Sequence, residues 1–238
     1  MRIVTLLLCG VLAAVNLTAS TGWNYFHWNG RIASGQTVEI RGFHGDVKAE
    51  RATGRDVEVF AVRRGRAPER LKIDVLDRDG GITLVSSDTG PAEGAAQVEF
   101  SVRVPPGVRL VVRTVNGGVS AQGMASDVEA HTLNGKIEIS TSKSALAETI
   151  NGSIVASVGE VRTDGGHTFS SVNGSVVLDF PGLMDADLDV ETLNGTIRSE
   201  FPCGLRDGTR RLKTTVGHGG PTISVRTSNG SIWLLRTV

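Results

Sequence analysis

The sequence predicts an all-β protein, a β-solenoid of the single-stranded β-helix type whose coils turn at Asn-Gly corners. Three observations predict it. A short Asn-Gly motif recurs six times along the chain. The residues before each copy alternate apolar and polar with the period of a β-strand. No stretch after residue 20 has a sustained helical pattern; MASDVEA and SALAE are short and fit strands as well. The alternative is an antiparallel β-meander or sandwich, with each Asn-Gly pair as a two-residue hairpin turn.

Composition agrees with many tight turns and narrow packing layers. Of 238 residues, 30 are glycine and only 5% are aromatic. A chain of this length can bury a sizeable core. Lys plus Arg and Asp plus Glu number 25 each, so no net charge draws the chain to nucleic acid or to an anionic membrane.

The elements follow in order. Residues 1–20 read as a signal peptide: Arg2 precedes an uncharged apolar run from Ile3 to Val15, and Thr18, Ala19 and Ser20 are small. The run is shorter than the roughly 20 residues a membrane span needs, so cleavage and no remaining span are expected. Cys9 follows Leu8 rather than a small residue, which argues against lipidation. The mature chain then keeps one cysteine, Cys203, and no intramolecular disulfide is possible.

Residues 21–33, with WNYFHWNGR, form an aromatic linker or a cap over the first coil; the functional alternative is an aromatic platform for a sugar or a partner protein. Residues 34–105 read as irregular β coils: QTVEIRG, DVEVFAVRRG, LKIDVLDRDG, GITLVSSD and QVEFSVRVPPG. Within them GFHGDVKAE (42–50) looks like a weak first copy of the motif, and 86–96 looks like an exposed loop. Pro105-Pro106-Gly107 marks a break, and 106–238 are the regular coils, continuous with those before.

The six copies are TVNGGV (114–119), TLNGKI (132–137), TINGSI (149–154), SVNGSV (171–176), TLNGTI (192–197) and TSNGSI (227–232). Their spacing is 18, 17, 22, 21 and 35 residues, and TTVGHGGPTI (214–223) is a candidate degenerate copy in the last interval. Stacked coils would align Asn on Asn and Thr on Thr, satisfying their polar groups. Ala130, Ala147 and Ala156 suit a narrow interior. Thr132 and Ile137 both belong inside, yet straight counting would put them on opposite faces. Gly135 with a positive φ, or a bulge, would restore the phase. Ser231 to Leu235 make a last apolar strand.

No catalytic, cofactor-binding or metal-binding residue is predicted. His27, His44, His131, His167 and His218 are scattered, without zinc-binding spacing. There is no Gly-x-Ser-x-Gly elbow, and Gly217-His218-Gly219-Gly220 lacks the Lys-Ser/Thr of a phosphate loop. Asp185, Asp187, Asp189 and Glu191 share one strand face, but alternate residues on a strand stand about 6–7 Å apart, too far to share a calcium ion. Arg63, Arg64 and Arg66, and Arg210, Arg211 and Lys213, lack the interleaved aromatics of a nucleic-acid site.

The recurring T-[VLI]-N-G-x-[IV] units, the lead-in VRVPPGVRL (102–110) and the start GRIASGQTVEIRGFHGDVKAE (30–50) together resemble the bacterial putative adhesin family, over roughly residues 30–238. The resemblance implies a β-solenoid-like fold and an envelope location, periplasmic or at the cell surface, and no known catalytic residue. Ser228 and Gly118 depart from the pattern, which suggests irregular coils near the ends of the array. The function expected is a non-enzymatic adhesin or structural protein that binds an unknown envelope polymer or protein along an extended surface. The alternatives are a head-to-tail self-associating scaffold and a polysaccharide-active β-helix enzyme.

Overall fold

The computed structural model describes residues 24–90, 96–159, 161, 166–206 and 208–237. The expected signal peptide with Cys9, Trp23 and part of the 86–96 loop lie outside the described residues. In chain order the first strands are β1 (Tyr25–Gly30), β2 (Thr37–Arg41), β3 (Val47–Arg51), β4 (Val57–Arg64), β5 (Leu71–Arg78), β6 (Gly81–Asp88) and β7 (Gln97–Val104). The repeat region follows with β8 (Arg109–Asn116), β9 (Val119–Met124), β10 (Val128–Asn134), β11 (Ile137–Thr141), β12 (Ala145–Asn151), β13 (Ile154–Val158), β14 (His167–Asn173) and β15 (Val176–Pro181). The last five are β16 (Ala186–Asn194), β17 (Ile197–Ser199), β18 (Arg211–Val216), β19 (Thr222–Asn229) and β20 (Ile232–Thr237). One 3₁₀ turn, Pro68–Arg70, precedes β5.

These strands build two open, mixed, ten-stranded sheets. One runs β1-β4-β7-β3-β9-β11-β13-β15-β20-β17, the other β18-β16-β19-β14-β12-β10-β8-β2-β6-β5. Their inward side chains meet in one apolar core. This arrangement overturns the expected single-stranded solenoid and agrees with the sandwich alternative. Three findings carry the correction. Antiparallel pairs stand at the sheet ends, β1 with β4, β4 with β7, β5 with β6 and β16 with β18. The strand order departs from chain order, because β19 and β20 insert beside β14 and β15 rather than following β16 and β17. Neither sheet closes on itself.

The insertion also corrects two smaller expectations. TSNGSI, the last copy in sequence, lies inside the stack between β14 and β16, and TLNGTI is the outer one. The copy containing Gly118 is interior too, paired on both sides through β8 and β9. The long interval before TSNGSI holds no hidden copy. It holds β18, which runs back antiparallel to β16.

Asn-Gly is not a hairpin turn here. β10 and β11 flank Asn134-Gly135 but sit in opposite sheets, as do the strands flanking each other copy. Thr132 and Ile137 are both buried because the chain changes sheets between them, so the inward direction reverses. Gly135 does not supply a positive φ, nor do the other five corner glycines. Close approach demands glycine instead. A Cβ on Gly135 would stand 2.0 Å from the Gly117 carbonyl oxygen, and one on Gly174 would stand 1.9 Å from that of Gly152. Real Cβ atoms do not approach backbone this closely, and here the obstacle is backbone that cannot rotate away. Ala130, Ala147 and Ala156 are fully buried, where the two sheets are joined by the short corners.

Candidate functional site

The corners line up into a ridge along one border of the sandwich. Parallel in-register pairing places each Asn beside the next, in the order Asn194, Asn229, Asn173, Asn151, Asn134, Asn116. Each side-chain Nδ2 donates to the next Oδ1: Asn194 to Asn229 at 2.9 Å, Asn229 to Asn173 at 2.8 Å, Asn173 to Asn151 at 2.8 Å, Asn151 to Asn134 at 2.7 Å and Asn134 to Asn116 at 2.8 Å. Asn116 Nδ2 then meets His44 Nδ1 at 3.1 Å. An amide donates here, so Nδ1 is the acceptor and the neutral ring carries its proton on Nε2. GFHG thus holds the motif's place in the stack with histidine substituting for asparagine.

A second ladder ties each corner to its neighbour. The hydroxyls of Thr132, Ser171, Thr227 and Thr192 donate to the carbonyls of Gly117, Gly152, Gly174 and Gly230 at 2.8–2.9 Å, and Thr149 donates to Gly135 at 3.2 Å. The carbonyl that a Cβ on Gly135, Gly152, Gly174, Gly195 or Gly230 would strike is the same one that the Thr or Ser hydroxyl of that copy bonds.

In four of the six copies an exposed apolar side chain stands between the buried Thr or Ser and the Asn. Leu133, Ile150, Val172 and Leu193 are 41–58% exposed, and Phe43 continues the row at 57%. Val115 is half-buried, and Ser228 interrupts the row between Val172 and Leu193. With about 4.8 Å between neighbouring strands, the six intervals from Phe43 to Leu193 span roughly 29 Å. Such large apolar side chains would be expected inside. Stacking forces them outward because Thr and Ile or Val of each copy already occupy the core.

The outer face of the second sheet carries an ion-pair ladder. Glu39 is bridged by Arg41 and Arg113, and Glu129 by Arg109, Arg113 and His131, which also reaches Glu148 at 3.0 Å. Burial acts to raise the carboxyl pKa of Glu39, but the bond and charge of Arg41, the Thr83 hydroxyl and Arg113 outweigh it and hold it below the usual range. Glu129 is likewise lowered: burial opposes ionisation, and His131, Arg109 and Arg113 overcome it. These groups lie on the outer face of the sheet, where Glu39, Arg41 and Thr83 border a small concavity of about 150 Å³.

The predicted acidic strip is half of a charge-matched pair of strands. Glu191 lies opposite Arg211 and Asp189 opposite Lys213, so the register sets opposite charges against one another across the two strands. Asp187 accepts from the Thr215 hydroxyl at 2.7 Å, and Asp189 meets Arg226 at 3.4 Å. Asp185 accepts from the His218 backbone N–H at 2.7 Å, which, with the His218 ring, lowers its pKa. Among the described residues no three His, Cys, Asp or Glu converge as a metal site. Arg64 pairs with Glu99, and Cys203 Sγ lies 3.3 Å from Ser199 Oγ. His167, scattered in sequence, is fully buried. Its Nδ1 accepts from Ala145 N–H at 3.2 Å, and burial pushes its pKa down to about 4, against a small raising effect of Asp127.

Sequence reasoning missed one concavity. An open cleft of about 740 Å³ has Met184, Phe201 and Val216 in its lining and Asp185, His218 and Arg236 among its polar groups. These residues come from separate segments, and no local pattern joins them. Among the described residues no helix is long and apolar enough to cross a membrane.

No family model and no curated protein matches the chain. Its fold is similar to that of a "putative cell adhesion protein" from Clostridium sporogenes, with a TM-score of 0.53, 10% identity, and coverage of 89% of this chain and 99% of that one. A "putative adhesin" from Bacteroides fragilis aligns over 90% of this chain and 97% of its own, with 10% identity and a TM-score of 0.42. At 10% identity the likeness to the first of these is one of fold.

Proposed function

We propose that the chain is a non-enzymatic, secreted envelope protein that binds an extended partner along its corner ridge. The observation that carries this reading is the row Phe43, Leu133, Ile150, Val172 and Leu193, held at a constant strand spacing by the Asn ladder beneath it. An apolar row at strand spacing, continuous over Leu133, Ile150 and Val172 and extended past Val115 to Phe43 and past Ser228 to Leu193, offers an extended partner repeated contacts. The ladder prepays the ordering that binding would otherwise cost. Covering each half-exposed side chain contributes about 1 kcal/mol, so the row acts together and no single residue dominates. An envelope polymer or an extended protein segment fits this geometry.

The fold likeness to a cell adhesion protein agrees with a binding role. The ion pairs of the second sheet, and Asp187 and Asp189 of β16 with their partners Thr215 and Arg226, form a charge-balanced surface, which agrees with a binding role.

The test replaces Leu133, Ile150, Val172 and Leu193 together by serine. Cosedimentation with purified cell-wall polymer and with intact cells is compared with wild type. Wild type is expected in the pellet and the variant in the supernatant, with unchanged far-UV circular dichroism. Equal binding by both proteins would refute the ridge as the site.

A further inference from the structure

A sheet edge is a row of unpaired backbone groups, and stable proteins guard it. Among the described residues four strands form the edges: β1 and β17 in one sheet, β18 and β5 in the other. Three are guarded. β5 carries Lys72, Asp74, Asp77 and Arg78. β18 carries Arg211 and Lys213. β17 has only three residues, and past its end the Glu200 carboxylate takes the Arg236 backbone N–H at 2.7 Å. β1, with the sequence YFHWNG, is six residues long and bears no Lys, Arg, Asp or Glu.

The hydrogen-bond parity of β1 can be read from its partner. Tyr25 lies opposite Val62, and Arg63 N–H donates to the Asn24 carbonyl at 2.8 Å. In an antiparallel pair every second residue exchanges both bonds with its partner. The β4-bonded residues are therefore Asn24, Phe26, Trp28 and Gly30. The N–H and C=O groups of Tyr25, His27 and Asn29 point out from the open edge. Phe26 and Trp28 are buried and fasten the strand to the core, so the edge is rigid. On its outer face Tyr25 is 65% exposed, and the His27 ring stacks on Phe60 at 4.2 Å with 12° between planes.

We propose that β1 pairs antiparallel with β1 of a second copy, forming a two-fold dimer in which two ten-stranded sheets become continuous. Centred on His27, the pairing sets Tyr25 of each copy opposite Asn29 of the other and His27 opposite its own symmetry mate. Every outward N–H and C=O of these residues then has a partner, and the outer face gains a row of four rings, Phe60 and His27 from each copy. Charge selects this occupant. A strand meeting its own copy sets like against like, which β18 would do with Arg211 and Lys213, whereas β1 has no Lys, Arg, Asp or Glu to set against its copy. The same guards oppose head-to-tail stacking, where β1 and β5 would have to meet the short β17 and the basic β18. The dimer is independent of the ridge reading, though two ridges on one particle would add avidity to it.

Sedimentation velocity of the full chain over a concentration series tests the proposal. A monomer–dimer equilibrium is expected. Asn29→Pro removes an outward N–H and no bond to β4, and it should weaken the dimer at least tenfold while leaving the melting temperature near wild type. His27→Lys, which places two cations opposite one another, should do the same and stands in should the proline disturb the strand. In a background with both Cys9→Ser and Cys203→Ser, His27→Cys should oxidise to a covalent dimer, since residues in such a bonded pair have Cα atoms about 5.5 Å apart, and Asp74→Cys on the guarded β5 edge should not. A strict monomer at all concentrations overturns the proposal. So does a dimer indifferent to both β1 substitutions and not cross-linked at residue 27. A dimer lost only on the serine replacement of the ridge would place the contact there, and would also overturn it.

Discussion

His167 makes stability depend on pH in a defined window. The ring is 1% exposed, packs 6.4 Å from Phe169 and 6.2 Å from Phe180, and accepts Ala145 N–H through Nδ1. It must be neutral to stay there. Its pKa falls from 6.5 to about 4 on folding. Between those values the unfolded chain binds a proton that the folded chain refuses, so stability rises with pH across the window and is lost as pH falls from 6.5 toward 4. At about 1.36 kcal/mol per pKa unit the full difference is about 3 kcal/mol, of which about 2.5 kcal/mol is gone at about pH 4.5. The shifted carboxylates, Glu39, Glu129 and Asp185, have lowered values, so their contribution is present above the ordinary carboxylate range and is lost as pH falls through that range and below it; Arg41, whose pKa is raised, stays charged throughout. Urea unfolding at a series of pH values, for wild type and His167→Leu, separates the two effects. The leucine chain should lose about 1–3 kcal/mol near neutral pH, because Ala145 N–H is left unpaired, and its stability should be nearly level down to about pH 5. Parallel pH slopes for the two proteins would refute the assignment.

Further predictions concern the corners and the core. Asn151→Ala removes a ladder bond on each side and should cost about 1–2 kcal/mol, whereas Asn194→Ala, which removes only the bond to Asn229, should cost about half as much; chemical denaturation measures both. Gly174→Ala drives a Cβ into the Gly152 carbonyl and should destabilise by about 3 kcal/mol or more, the sum of the bonds that must open. Gly54→Ala, with nothing within 4 Å of its Cβ, should be neutral in the same thermal melt. Ile154→Asp places an unpaired charge at a position with no exposed surface and should abolish soluble, folded protein, read by expression yield and circular dichroism.

The stacked corners were legible because repetition states the same constraint several times. One Asn-Gly suggests a hairpin; six with a shared flanking pattern suggest contact between copies, and Asn134 does bond Asn116 and Asn151. The reason for glycine was misread. A positive φ is the usual local explanation, yet the requirement at Gly135 comes from the carbonyl of Gly117 in the neighbouring copy, which no local reading can weigh. The exposed row was visible as an apolar position in the motif, but its direction was not. Period-two counting assumes one continuous strand, and the change of sheet at each corner breaks that assumption.

By itself the sequence determined the local terms: β-strands from period-two alternation, corners from Asn-Gly, and a shared register from the recurrence of Thr, Asn and Ile or Val. These terms depend on a residue and its near neighbours, so they can be read along the chain. Only the tertiary structure decided which strands became neighbours. The placement of β19 between β14 and β16, the register that sets Asp189 and Glu191 opposite Lys213 and Arg211, and the edge position of β1 all follow from long-range pairing. Strand pairing is satisfied equally well by many partners of similar pattern. The choice among them rests on the summed packing of the whole sandwich, which no single segment encodes.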